Sequence, residues 1–163
     1  MPHELRHAGY LISDDPARLD VDAIHAFLTR CYWAEGIPRE VVARSLAHSL
    51  CLGIYAPDAS QVGLLRVISD YTTFAYLCDV YVLEAHRGRG LSKAGLRAYA
   101  SHPRLQNLRR HQLVTLDAHG LYRQFGFVPV PQPERHMEKR DPDIYQRSSR
   151  SGAASAVPGP DAR

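Results

Sequence analysis

Val80-Tyr81-Val82-Leu83-Glu84-Ala85-His86-Arg87-Gly88-Arg89-Gly90-Leu91-Ser92-Lys93-Ala94 is the stretch from which the rest of the chain can be read. It opens on β-branched and aromatic residues, the habit of a strand. It closes on an apolar repeat, Leu91, Ala94, Leu96, Ala98 and Tyr99, at helical spacing, and Pro103 ends that helix. Between the two, Gly88 and Gly90 let the backbone bend closely, so that successive N–H groups at the helix start can point at phosphate oxygens. Arg87, Arg89 and Lys93 add positive charge nearby. RGRG alone also makes ordinary surface turns, so its setting decides. A Walker loop needs GxxxxGK followed by Ser or Thr, and a Rossmann turn needs GxGxxG beside the first strand; neither is present.

Upstream, residues 10–13 are apolar and run into Asp14-Asp15-Pro16, a strand ending in a turn. Asp20 is placed to cap a helix whose buried face is Val21, Ile24, Phe27, Leu28 and Cys31. Pro38 sits at the first turn of a second helix, continued by Val41, Val42 and Leu46. The loop between them, Tyr32-Trp33-Ala34-Glu35-Gly36-Ile37, carries two large aromatics, read first as core packing. Residues 50–55 and 61–69 form a hairpin around Pro57-Asp58-Ala59-Ser60, and residues 72–83 add a third strand of the meander, apolar but for Asp79 in its middle. Downstream, the pattern predicts a strand at 113–116, a short helix at 121–125 stopped by Gly126, and two weak strands at 127–130 and 135–139. The folded domain is expected over residues 1–145, and residues 146–163 lack the apolar content to offset ordering and are expected to form a disordered tail.

The composition excludes several classes. With 163 residues, 45% hydrophobic and 23% charged, the chain is an ordinary single globular domain. It holds no apolar run of the roughly 20 residues that span a bilayer and no secretory leader, which reads as cytoplasmic. Cys31, Cys51 and Cys78 sit among apolar neighbours without CxxC spacing, so buried thiols are expected rather than disulfides. A net charge of +3 comes from scattered arginines with no interleaved aromatic platform, which speaks against nucleic acid. The nine histidines show no HExxH or paired ligand spacing, so no metal is expected.

A strand meander followed by this glycine turn resembles the GNAT superfamily of N-acetyltransferases, whose hallmark is R/Q-x-x-G-x-G/A after a strand. Arg87-Gly88-Arg89-Gly90-Leu91-Ser92 matches it, with serine in the last, small position. Ala118-His119-Gly120-Leu121-Tyr122-Arg123-Gln124-Phe125-Gly126-Phe127 resembles the second signature, an alanine followed by LYxxFGF. Cys78-Asp79-Val80-Tyr81-Val82 before the turn and Leu121-Tyr122-Arg123-Gln124-Phe125-Gly126-Phe127 after it are similar to stretches of small-amine acetyltransferases such as the glucosamine-phosphate enzymes, and the whole chain is similar to a group of bacterial GNAT proteins of undetermined substrate. The resemblance implies an α/β fold with a mixed, mostly antiparallel sheet of about six to seven strands flanked by helices. It also implies a sheet splayed between the fourth and fifth strands (72–83 and 113–116) to admit coenzyme A. The implied activity moves an acetyl group from acetyl-CoA directly to an amine in a ternary complex, with no acyl-enzyme. Its implied partners are acetyl-CoA and the amine, with homodimers common in the family and neither nucleic acid nor membrane involved.

The resemblance places Val80, Tyr81 and Val82 along the pantetheine arm, with the Val80 N–H at the developing oxyanion. Arg87, Gly88, Arg89, Gly90, Leu91, Ser92 and Lys93 fall at the diphosphate. Tyr122 falls at the proton donor to the departing thiolate, the competing reading being aromatic packing. Many relatives carry asparagine where this chain has Thr115, which puts that one contact in doubt. Asp79 keeps three readings: a base with its pKa raised by burial, an anchor for a cationic substrate, or a structural acceptor. His119 is a second candidate base. Trp33, Ile37 and His136 are candidates for the acceptor pocket, where Glu35, Asp70 and Asp79 suit a small cationic amine; a peptide N-terminus is the alternative acceptor. A non-catalytic acyl-CoA sensor is the competing function.

Overall fold

The computed structural model describes residues 1–147. In chain order it contains β1 (Glu4–His7), β2 (Tyr10–Ser13), α1 (Val21–Leu28), α2 (Arg39–Ala47), β3 (Leu50–Tyr55), β4 (Gln61–Ser69), β5 (Phe74–Val82), α3 (Leu91–Ala100), β6 (Arg110–Gln112) and α4 (His119–Arg123). The strands form one six-stranded sheet in the order β1-β2-β3-β4-β5-β6. Every neighbouring pair is antiparallel except β5 and β6, which run parallel.

Local chemistry accounts for most of the boundaries. The Asp20 carboxylate accepts from the Ala23 N–H at 2.9 Å and starts α1, which buries Ile24 and Leu28. α1 stops at Leu28, short of the expected Cys31, where the chain turns into the aromatic loop. Pro38 precedes α2, and Val42 and Leu46 face inward. β1 was not anticipated, because Glu-Leu-Arg-His has neither an apolar run nor a strong alternation. A hairpin turn at Ala8 and Gly9, both with positive φ, pairs it to β2 as an edge strand.

The sheet has a core on each face. On one, α3 packs over Leu52, Leu65, Val67 and Leu77. α3 lies very close to the sheet there, since a Cβ on Gly95 would stand 2.5 Å from Leu65 Cδ1. On the other, α1 and α2 cover Cys51, Leu64 and Tyr81.

Two irregularities in β5 matter for function. Arg66 pairs with Cys78 while Leu64 pairs with Tyr81, so one residue of β4 faces two of β5, a bulge at Asp79 and Val80. Asp79 takes a left-handed φ of 49° there. Beyond the bulge, β5 runs on to Val82, whereas its pairing with β6 covers only Phe74, Ala75 and Tyr76. Along its last half, β5 therefore keeps a ladder on the β4 side alone among the described residues.

Two expectations are corrected. The strand placed at 113–116 lies instead at Arg110–Gln112, because the Arg110 N–H bonds the Thr73 carbonyl at the start of β5. Val114 and Leu116 then stand 78% and 73% exposed. Residues 127–130 and 135–139 form no strands; Pro129, Pro131 and Pro133 remove ladder donors, and Pro133–Arg135 is a short 3-10 turn. Of the predicted tail, residues 146 and 147 belong to a turn in which the Arg147 N–H bonds the Asp143 carbonyl, and residues 148–163 lie outside the described residues.

Leu65, fully buried between α3 and the sheet, is a direct test of this packing. Leu65→Ala should lower the unfolding free energy by about 3 kcal/mol in a urea titration. A loss below about 1 kcal/mol would mean that α3 does not seat there.

Candidate active site

The segment from β5 to α3 is built as a cradle. After the 3-10 turn Glu84–His86, Gly88 and Gly90 both adopt left-handed φ, +75° and +73°, which side chains with a Cβ rarely take. Gly90 caps α3 without any side-chain hydrogen bond, so the cap residue leaves the first-turn amides of Leu91, Ser92 and Lys93 without a side-chain acceptor of its own. His7 braces the loop from β1: its Nε2 lies 3.0 Å from the Arg89 carbonyl and would be 3.2 Å from a Cβ on Gly90. Arg87 folds back, its Nε donating to the Val82 carbonyl at 3.0 Å. That bond ties the cradle to the end of β5, while Arg89 and Lys93 stay exposed.

The bulge brings Asp79 to the face covered by α1 and α2. Asp79 Oδ2 accepts from Arg66 Nε at 2.6 Å, and Oδ1 accepts from Trp33 Nε1 at 2.9 Å. The ion pair is mostly buried, with side-chain exposures of 15% for Arg66 and 11% for Asp79. Burial works against the Arg66 charge, and the Asp79 carboxylate more than restores it, holding the guanidinium above its ordinary value. Arg66 Nη1 also donates to Ser49 Oγ at 3.1 Å. Around this pair the α1–α2 loop forms an aromatic wall. Phe27 stacks on Tyr81 at 3.8 Å between centroids, and Tyr32 meets Trp33 edge-on at 5.0 Å. Trp33 is 39% exposed and Tyr32 65%.

Tyr122, on α4, joins the core cluster that holds Val82 and Leu91. It is buried, its ring edge-on to Phe127 at 5.9 Å. Burial raises its phenol above the ordinary tyrosine value, and the fields of Tyr32 and Asp117 add to the rise. Tyr122 borders a cavity of about 270 Å³ together with Gln112, Thr115, His119 and Phe127. Thr115 Oγ1 accepts from the Ala118 N–H at 3.0 Å and so supports the start of α4.

The structure thus joins Trp33 to Asp79 and sets His119 beside Tyr122, but it separates two other sequence candidates from them. Ile37 is 8% exposed and packs with Ile24 and Leu28 in the core beneath the loop. His136 borders a different cavity, of about 480 Å³, with Tyr99 and His111. The Asp70 carboxylate is occupied by the N–H groups of Thr72, Thr73 and Phe74 in its own turn. Arg66 escaped the sequence reading. A lone cation inside the apolar run of β4 was a legible signal for it, since a charge there needs a partner and Asp79 lies in the next strand; Tyr32 was visible only as one of the two large aromatics of the loop. Burial raises the thiols of Cys51 and Cys78 to about 12, so both remain protonated at neutral pH.

The profile of the Acetyltransferase (GNAT) family matches residues 17–127. The chain belongs to that family. This GNAT acetyltransferase is 36% identical over 144 residues to a Gibberella zeae protein whose name assigns it to the acetyltransferases, covering 74% of this chain and 80% of the relative. It is similar to a crystal structure from Xanthomonas campestris pv. campestris described as an acetyltransferase of the GNAT family. The two share 48% identity and a TM-score of 0.82 over 86% of this chain and 99% of the other. A Deinococcus radiodurans structure shares the fold, with a TM-score of 0.63 and 20% identity over 85% of this chain and 94% of the other. No group of three or more His, Cys, Asp or Glu side chains that could hold a metal is found among the described residues of the acetyltransferase, and no helix there is long and apolar enough to cross a membrane.

The Asp79 arrangement makes a stability prediction. Asp79→Ala leaves the Arg66 charge mostly buried without its partner and should cost about 3 kcal/mol in urea unfolding. Asp79→Asn tolerates the left-handed φ but is neutral and has one oxygen for the two donors, so it should recover only part of that loss. Equal and small losses for both would show that the pair does not hold the bulge.

Proposed function

We propose that this acetyltransferase moves the acetyl group of acetyl-CoA directly onto an amine in a ternary complex, without an acyl-enzyme. One observation carries the reading: a helix start with no side-chain cap and a bulged, one-sided strand edge lie on the same β5–α3 segment, and the buried Tyr122 shares a core with Val82 and Leu91 of that segment. The residues fit acetyl-CoA. A diphosphate suits main-chain amides presented by two left-handed glycines, and an amide-bearing pantetheine arm suits an open strand edge.

Acetyl-CoA supplies an activated thioester. In this reading the amides of Leu91, Ser92 and Lys93 hold the diphosphate, with Arg89 and Lys93 adding charge. Val80, Tyr81 and Val82 present the β5 backbone to the pantetheine arm, and the Val80 N–H points at the thioester oxygen to stabilise it as negative charge develops. As the C–N bond forms and the C–S bond breaks, Tyr122 delivers its phenolic proton to the sulfur, and the amine gives up a proton to water. Burial keeps that phenol protonated across the physiological range. Cys51 and Cys78, held as thiols, supply no nucleophile, which agrees with direct transfer. Asp79, with one oxygen on Arg66 and the other on Trp33, acts as a positioning residue: it fixes the bulge and the aromatic wall beside the reacting carbon.

Titration calorimetry with acetyl-CoA and with coenzyme A tests binding. Gly90→Val forces a Cβ into a left-handed φ and toward His7, and should weaken affinity at least about tenfold. Unchanged affinity would remove the cradle from the site. Thiol release in the presence of a broad amine panel tests turnover. Tyr122→Phe should keep acetyl-CoA affinity and lower kcat about a hundredfold. Because the active form is the protonated one and its pKa is raised, wild-type kcat should show no alkaline fall from this group below pH about 10. An unaltered kcat in the variant would take Tyr122 out of the proton-donor role.

A further inference from the structure

The reading above leaves the acceptor unnamed, and one part of the sheet bears on it. Cys51 pairs with Arg66, and Arg66 with Cys78, so all three project to the face that carries α1 and α2. Two residues further along the strands, Ile68 pairs with Tyr76 on that same face, and Phe74 follows at the next alternate position. The helices do not extend over this end. Ile68 is 46% exposed, and Phe74, Tyr76 and Cys78 are half-buried and belong to neither core. The result is an uncovered apolar floor that ends at the Asp79 bulge, beneath the wall made by Trp33 and Tyr32.

The charges around this floor narrow what can lie on it. Arg66 is committed to Asp79 and Ser49, so its guanidinium is already engaged. The Cys78 thiol stays neutral, and burial raises the Tyr76 phenol, so the floor itself carries no charge at neutral pH. The fields that reach the Tyr76 phenol are those of Asp79 and its partner Arg66, which oppose each other, and of Glu138 from the C-terminal segment, so the charge outside that pair is a carboxylate. A phosphate or carboxylate on the acceptor would be repelled here, whereas an amine on an apolar body would meet matching surface along its length.

We infer that the acceptor is an amine carrying an apolar or aromatic body, which lies on the Ile68, Phe74, Tyr76 and Cys78 floor with its amino group at the Asp79 bulge, facing Tyr122 across the β5 edge. This rests on the acetyl-CoA reading. It departs from phosphorylated amino sugars, to which residues 78–82 and the LYxxFGF signature alone would have pointed. Tyr32 and Trp33 close over the ring side of such a substrate.

The matched amines 2-phenylethylamine and ethanolamine differ only in phenyl against hydroxyl, so their ratio of kcat/KM reads the floor. With acetyl-CoA as donor the ratio should favour 2-phenylethylamine at least about tenfold, the scale of burying one apolar group of this size. Ile68→Asp places a carboxylate on an exposed part of the floor and should reduce that ratio at least about tenfold. Ile68→Ser should reduce it less, and serves if the aspartate variant fails to fold. A ratio near or below one in the wild type overturns the inference, as does a ratio untouched by both variants or turnover of neither amine. So does a dimer that Ile68→Asp dissociates with the ratio unaltered, since a second copy would then cover the face. Calorimetry on the same samples keeps the two readings apart: absence of acetyl-CoA binding sinks the proposed function, whereas binding with the wrong amine preference sinks only this inference.

Discussion

The ion pair between Arg66 and Asp79 is the contact on which the rest of the site depends. It holds a carboxylate-bearing residue in a left-handed conformation in the middle of a strand, where a regular ladder would have placed a β-conformer. The extra residue lets Cys78 and Asp79 share the α1–α2 face, which brings the carboxylate to Trp33 and the loop between the two helices. Without the pair, one buried charge would lack its partner and the bulge would lose its clasp. Strand geometry, loop position and site electrostatics are therefore settled at one contact.

From there the arrangement propagates in both directions along β5. Toward its C-terminal end the strand leads through Arg87, bonded back to Val82, into two left-handed glycines and the start of α3. His7 on β1 supports that turn from outside, which gives an edge strand with no recognisable pattern a role in the cradle. Toward its N-terminal end β5 is joined to β6 over three residue pairs and then parts from it. The edge between these two ends, in the proposed reaction, faces Tyr122, whose burial leaves its proton in place. In the proposed reaction, main-chain groups bind and polarise while one side chain transfers a proton. Such a division suits a family whose members share a fold and differ in acceptor.

How much of this was legible depended on whether the governing interaction was local. The cradle could be read from Arg87 to Ser92, because left-handed turns and helix starts are written in glycine and in apolar period. α1, α2 and the β3–β4 hairpin were legible for the same reason. β1 was not, since its polar residues pair only because the Ala8-Gly9 turn folds them back. Residues 113–116 misled: Leu-Val-Thr-Leu has strong strand character, yet the ladder to β5 is set by Arg110 to Gln112, and the prolines at 129, 131 and 133 keep the following segment out of the sheet. In the site, Asp79 stood out as a charge in an apolar strand, but its partners are distant in sequence, Trp33 by 46 residues and Arg66 by 13. Ile37 reads as a loop residue near the wall, and only the packing reveals that it points into the core beneath it.

The central claim is that acetyl-CoA is held by the free edge of β5 and the first turn of α3 together. Amide hydrogen exchange followed residue by residue, with and without saturating coenzyme A, tests it most directly. The account requires slower exchange at Val80 and Val82 and at Leu91, Ser92 and Lys93, while β2 and β3 remain as they were. Tight binding of coenzyme A with none of those five amides protected would contradict it.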